Sequence, residues 1–587
     1  MASHRQTLVT LTALVLAAVA FAPALGARQS PSSKALATVL QALEQRQADA
    51  RQSAATRTLA DDTSLSLAAS ERAAAEAKTF LAQLDAIDPA GLTHQEDLSR
   101  EVLRWNAWVT MNQPAQFWFH SAVMPTTGSP LTSILTGAPD RTFANNADLS
   151  SYLAGLNRLV ETIAASQAKE QERATRGIIL PDEQIDRSLT YLEPFAAPST
   201  SSPFFVSADR LKAITPEIAA VFQHAVAGVI DRGIAPAGKA LRDMLLALAP
   251  KAPNVVGWGQ YPGGKDAYRI AVRQMTTLDV TPEEVHRIGL EGIAETEKAM
   301  ADLRRQIGFT GTKAEFHDQL RRDQRFYVKT PDEVGAVLMS HIRRIEPKVS
   351  QFFTRSPEAI YGVTRLNPTL EPSQTYGFYS IPTRTEPRGL YNFNGSTLED
   401  RSLLAGAALI FHELVPGHHF QINLQLENAE LPAFRRSSMS AGYTEGWGEY
   451  SSSVVAREMG MYTDPYDLYG RLVFDNFFNV RLVVDTGMNY LGWSRPKAML
   501  YMREHTLESD VQIDSETVRY STRSPAQALA YRMGRQTFVR LRERATSRLG
   551  ARFDIRRFHD AVLSVGSMPL FVLERHIDWW ITQELAR

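Results

Sequence analysis

Apolar residues recur at the three- and four-residue spacing of a helix face along most of this chain. The pattern predicts helices over 68–112, 147–176, 207–231, 281–307, 331–354, 400–428, 440–460, 466–486 and 525–549, and over the Ala-, Gln- and Arg-rich start at 28 to about 60. Thr281-Pro282-Glu283-Glu284 and Ser524-Pro525-Ala526-Gln527 read as helix starts: a hydroxyl caps the free amides and proline loses nothing at the first turn. One region departs from this rhythm. In 376–382 and 388–394, aromatic and β-prone residues bounded by Pro and Gly predict a short strand or hairpin, either for packing or as an edge that pairs with an extended peptide. The stretch 186–206 reads as a long exposed loop bordering a cleft. The expected fold class is mostly α.

The first 27 residues hold Arg5, an apolar run from about Leu8 to Ala22, and small residues at Ala24 and Gly26, the pattern of a cleaved secretory signal peptide. The run falls short of the roughly 20 apolar residues that span a bilayer, so no stable membrane insertion is expected after cleavage. The remaining 28–587 are expected to form one helical catalytic domain, as one body or as two lobes around a cleft. Hydrophobic residues make up 44% of the chain, enough for a large core. With 63 Lys+Arg against 64 Asp+Glu, no field of one sign steers the protein to nucleic acid or anionic lipid. There is no cysteine, hence no disulfide and no thiol for lipid attachment, and the expected location is secreted, in a bacterial periplasm.

The chemistry concentrates in the run Phe411-His412-Glu413-Leu414-Val415-Pro416-Gly417-His418-His419. A zinc hydrolase helix carries two histidines four residues apart, which converge on one ion, with a glutamate beside the first to activate water. Here the i+4 position is Pro416. Proline removes a backbone bond and clashes with the carbonyl four residues back, that of His412, so the helix is expected to kink or bulge. Gly417 permits unusual backbone angles, and two looped-out residues would bring His418 to the ligand position. On an undistorted helix His419, nearly in phase with His412, would serve instead. Downstream, Gly442-Tyr443-Thr444-Glu445-Gly446-Trp447-Gly448-Glu449 sets two glutamates on one helix face and three glycines whose cost, on the order of 1 kcal/mol each, calls for close packing against the His412 helix. His412, His418 and Glu445 then form the His₂Glu set of a catalytic zinc, with one Zn²⁺ expected and Glu449 orienting a histidine through its other ring nitrogen.

HELVPGHHFQ, EGWGEY, VVDTGMNYLGW and RYSTRSPAQALAYRMG resemble, in this order, the signatures of the bacterial domain-of-unknown-function family eight-eight-five over most of the mature chain. Members of that family look like distant relatives of helical gluzincin peptidases such as carboxypeptidase Taq, thimet oligopeptidase and angiotensin-converting enzyme. The resemblance implies a gluzincin-like helical fold with zinc at the base of a deep central cleft. It places the family's His-Glu on His412 and Glu413, its Pro-Gly-His on Pro416, Gly417 and His418, and its Glu-Gly-Trp on Glu445, Gly446 and Trp447. The residue after Pro-Gly-His varies in the family, which favours His418 over His419. Arg519, Tyr520, Pro525, Gln527 and Tyr531 match later motifs, whereas Asn489 stands where histidine often follows the Asp-Thr-Gly at Asp485, Thr486 and Gly487.

The expected activity is zinc-dependent hydrolysis of amide bonds in short peptides, of carboxypeptidase or oligopeptidase type. The alternatives are hydrolysis of a non-peptide amide and non-catalytic zinc or peptide binding. Glu413 is the expected general base and Tyr520 the expected oxyanion donor. Glu449, His419 and Asp485 are expected around the ligands, and Tyr391, Arg519, Tyr531 and Arg532 at the substrate.

Overall fold

The computed structural model describes residues 30–52, 62–124, 130–138, 141–368, 371 and 376–587. The leader expected over 1–27 lies outside them. The described chain is mostly helical, with one small sheet. Thr281 starts the helix Pro282–Gln306 as expected: its hydroxyl accepts from the Glu284 amide while Glu284 accepts from the Thr281 amide at 2.7 Å. That helix packs along Pro465–Asn489, which is buried over nearly its whole length and also touches the helices Gly406–Glu413 and Leu529–Leu549. A helix buried on every side lies at the centre of a large core, and the charged residues it carries there must find partners inside it.

Two clusters hold most of the buried apolar residues that are grouped into cores. One gathers Phe411, Tyr443, Trp447, Phe538 and Ile577 around the helices that carry the metal motif. The other lies among Asn146–Thr175, Asp182–Ala196, Pro216–Val229 and Ala235–Leu248, where Leu159, Leu192, Phe195 and Val226 are buried. Pro216–Lys251 is long and apolar enough to cross a membrane, yet Phe222, Val226, Ile230, Ile234 and Leu241 are packed inside this second cluster.

Two expectations are corrected. Residues 186–206 are not a long loop: Asp182–Ala196 is helical because Ile185, Leu192 and Phe195 fall on one buried face, and Phe204 and Val206 beyond it are fully buried. The helices expected over 68–112 are present as Leu67–Asp85 and His94–Gln116, separated by Asp88-Pro89 and restarted by a capping box at Thr93. Ser524 does not start a helix. The next helix begins at Leu529, because the Asp485 carboxylate accepts from the Ala526 amide (3.0 and 3.1 Å) and holds Ala526 at φ 66°.

The sheet has strands β1 (Tyr361–Arg365), β2 (Gly377–Ser380) and β3 (Gly389–Phe393) in the order β1-β3-β2. The expected hairpin is the antiparallel β2–β3 pair, with Tyr379 opposite Tyr391. β1, which sequence periodicity did not reveal, runs parallel to β3 and sets Val363 beside Tyr391. Both edges of β3 are therefore occupied, so the strand that carries Tyr391 cannot itself pair with a peptide.

Candidate metal centre

The apolar helix Gly406–Glu413 stops at Glu413, and a second helix, His418–Glu427, begins after four intervening residues. The break replaces the bulge expected within one continuous helix. Proline disfavours the helical region for Val415 before it and offers no amide to the helix. Gly417 closes the turn at a place where only glycine fits: a Cβ there would stand 1.8 Å from the carbonyl oxygen of His412. Trp447 Nε1 donates to the Pro416 carbonyl at 2.9 Å and ties this turn to the helix Ala441–Tyr450.

The turn brings His412 and His418 edge to face, with ring centres 4.4 Å apart. Glu445 completes the group: its Oε2 lies 3.4 Å from His412 Nε2 and 3.3 Å from His418 Nε2. The three ligand atoms all lie within 4.8 Å of one another. Of the three glycines in the Glu445 helix, one faces His412: a Cβ on Gly448 would stand 2.7 Å from the imidazole. Gly446 instead meets Gly534 of Leu529–Leu549, and Gly442 meets the Thr276 carbonyl, so the helix is pressed from three sides.

His412 Nδ1 lies 2.8 Å from Glu449 Oε1, which fixes the ring and directs Nε2 at Glu445. Glu449 is in turn held by Arg471 (2.9 Å), Arg471 by Asp475 (3.0 Å) and Asp475 by Arg535 (2.5 Å). Arg471 and Asp475 were not singled out from sequence, although an oppositely charged i,i+4 pair among the large apolar residues of 472–478 is a signal for a buried ionic network. Burial alone would lower the His412 imidazolium, but the carboxylates of Glu445 and Glu449 beside it raise it to about 10. Burial would likewise raise Glu445, yet both imidazoles hold its carboxyl far below the usual range. With Glu413, three carboxylates surround two imidazoles, a cluster that favours a cation at its centre.

Glu413 is 9% exposed, forms no hydrogen bond or ion pair among the described residues, and is pushed up by burial. Tyr391 lies within its electrostatic reach and is itself buried. Tyr531 stacks on His412 at 5.8 Å and on Phe478 at 4.8 Å. Gln527, given no role from sequence, donates to Glu445 Oε1 at 3.2 Å and reaches the Tyr531 hydroxyl at 3.5 Å, while Arg519 donates to Gln527. The signal for Gln527 was its spacing, one helical turn before Tyr531.

Other expected site residues lie apart from the three ligands. His419 faces the sheet: Nδ1 meets the Tyr379 hydroxyl at 3.0 Å and Nε2 the Ala359 carbonyl at 3.0 Å. Tyr520 is fully buried, donates to Glu516 and accepts from Arg481 Nε at 2.7 Å, so its hydroxyl is committed on both sides. Asp485 touches no ligand. It accepts from Tyr268 (2.6 Å) and from the Ala526 amide, and so shapes the turn that presents Gln527. Asn489 donates to the Asp485 and Tyr520 carbonyls and accepts from the Trp258 amide, a bracing role that its amide can fill. Arg532 buries its Nε without a hydrogen-bond partner, and electrostatically it senses Asp475, Glu295 and Glu449.

A protein described as a lipoprotein from Colwellia psychrerythraea has a similar fold, with TM-score 0.81 and 25% identity over 95% of this chain and 100% of its own. A second, described as a lipoprotein of unknown function from Shewanella oneidensis, matches in fold with TM-score 0.67 and 18% identity over 86% of this chain and 92% of its own. No curated protein matches. The family described as bacterial protein of unknown function (DUF885) matches residues 41–577, and the chain belongs to it.

Proposed function

We propose that this protein is a zinc-dependent hydrolase of amide bonds in short peptides, acting in the bacterial cell envelope and distantly related to the gluzincins. The observation that carries the reading is the convergence of His412 Nε2, His418 Nε2 and Glu445 Oε2 beside the unpaired carboxylate of Glu413. Glu445 Oε2 is buried without a hydrogen-bond donor, which is costly unless a cation takes the donor's place. Two imidazoles and one carboxylate suit zinc rather than magnesium or calcium. Bound there, zinc would supply Lewis acidity and lower the pKa of its water toward about 7.

The chain's own groups do the rest. Glu413 takes the proton of the attacking water and returns it to the leaving amine. Glu449 holds the His412 ring in one tautomer, and Gln527 holds Glu445. The Tyr531 hydroxyl, beside Glu445 through Gln527, supplies the donor for the developing oxyanion that Tyr520 is not free to supply. A non-catalytic zinc carrier would have no use for a buried acid with no partner next to its first ligand. Export is supported by the leader pattern of residues 1–27 and by the lipoprotein description of the Colwellia protein, although this chain has no cysteine to carry a lipid.

Protein expressed in zinc-supplemented medium should hold about one zinc by metal analysis and cleave a mixed peptide library until a chelator is added. Glu413→Gln should keep the metal and lose several orders of magnitude in turnover. The absence of stoichiometric transition metal would overturn the reading.

A further inference from the structure

A cavity of about 240 Å³ opens between β3, the helix Gly406–Glu413, the helix Pro465–Asn489 and the segment 507–512. Two of its lining residues sit one helical turn from the metal centre. Leu409 precedes Glu413 by four residues, and Phe474 precedes Phe478, which stacks on Tyr531, by four. Residues four apart share a helix face, so the faces that wall the cavity continue into the centre. Tyr391, which lines the cavity, also lies in the field of Glu413.

The walls at Leu338, Phe393 and Phe474 are apolar, and polar groups line the cavity along 399–402 and along 508–512, the latter facing the Tyr376 side. There Glu508 accepts from the Tyr376 hydroxyl at 2.6 Å. Burial pushes the Glu508 carboxyl up to about 7, so it is a poor partner for a cation. Gln512 is 6% exposed and its Nε2 has no hydrogen-bond partner, leaving a donor that lacks an acceptor.

We propose that this cavity is the specificity pocket of the hydrolase, receiving the side chain of one residue next to the scissile bond and selecting tyrosine. The proposal rests on the hydrolase reading. The volume is below the roughly 300–1,000 Å³ of sites for drug-sized ligands and suits a single large side chain. An aromatic ring fills the apolar walls, whereas a small side chain leaves a void. The phenol oxygen accepts from Gln512 Nε2, which a phenylalanine could not do.

Two measurements test the pocket separately from the chemistry. The first is digestion of a mixed peptide library read by mass spectrometry: tyrosine should dominate one position beside the cleaved bond, and Val334→Phe, which fills the cavity wall, should shift that position to small residues. The second is calorimetric titration of N-acetyl-L-tyrosinamide into metal-free protein, which involves no hydrolysis. Wild type should bind it, Gln512→Leu about tenfold more weakly, and Val334→Phe not at all. Cleavage without side-chain preference, or an amide that fails to bind or binds all three proteins alike, overturns the pocket and leaves the hydrolase reading standing. Binding with the expected ranking but no cleavage retains the pocket and overturns the hydrolase.

Discussion

The imidazole of His412 occupies the space in which a side chain on Gly448 would begin, with Cε1 2.7 Å and Nδ1 2.8 Å from an ideal Cβ. The ring cannot retreat, because Glu449 holds Nδ1 and the helix behind it is core. Gly448→Ala should therefore turn His412 away from His418 and Glu445. Metal affinity should fall by about 10- to 100-fold, the usual effect of disturbing a group that orients a ligand, in a protein that still folds. Competition with a zinc-binding dye against wild type measures this, and unchanged affinity would mean the helices slide apart instead.

His418 and His419 are adjacent in sequence and opposite in direction. His418→Ala should abolish metal retention, because it removes a nitrogen 3.3 Å from Glu445. His419→Ala should leave the metal in place and cost about 1–3 kcal/mol, since the Tyr379 hydroxyl and the Ala359 carbonyl both lose a buried partner. Metal analysis paired with denaturant titration separates the two. Metal loss in the His419 variant would reverse the assignment.

Two tyrosines compete for the oxyanion role. Tyr531→Phe should lower kcat by about 10²- to 10³-fold with little change in KM, as for loss of a donor that acts in the transition state. Tyr520→Phe should leave kcat close to wild type and reduce stability, because Arg481 and Glu516 lose the hydroxyl between them. A fall in kcat for Tyr520→Phe with none for Tyr531→Phe would exchange the two.

The pairing of His412 with His418 and Glu445 was legible because proline and glycine at 416 and 417 exclude regular helix, whichever way the chain then turns. The form of that turn was not. Periodicity carried on through 400–428 while the chain broke at Leu414, since apolar spacing records which side faces the core and not whether the backbone bonds persist. Tyr520 was misplaced for a related reason: its motif names the residue, but its direction is set by Arg481, 39 positions away. Asp485 shows the same limit, because its carboxylate reaches across 41 positions to hold Ala526 in a left-handed turn that no local signal announces. β1 pairs with β3 in parallel from a distant part of the chain, and it exists because β3 offers it an edge.

His559 lets one proton be followed in acid unfolding. It is fully buried, with Nδ1 2.9 Å from the Phe352 carbonyl and Nε2 3.0 Å from the Tyr450 hydroxyl. Nδ1 must donate to the carbonyl, so Nε2 accepts from the tyrosine and the ring is neutral. Burial lowers its pKa to about 3, whereas an unfolded histidine titrates near 6.5. Between those values the unfolded chain carries the extra proton, so this site's contribution to stability is whole above about pH 6.5 and is lost as pH falls toward 3. Asp485 and Glu508, which burial raises to about 7, act in the opposite sense over part of this range, so wild type alone does not isolate the histidine. His559→Gln can keep both hydrogen bonds without titrating, and the difference between the two proteins cancels all other groups. Urea unfolding of metal-free protein at pH 7, 6, 5 and 4 should show wild type losing about 1.4 kcal/mol per pH unit relative to the variant below pH 6. Parallel stability curves would mean that His559 is already protonated in the fold, and the neutral bridge between Phe352 and Tyr450 would have to be abandoned.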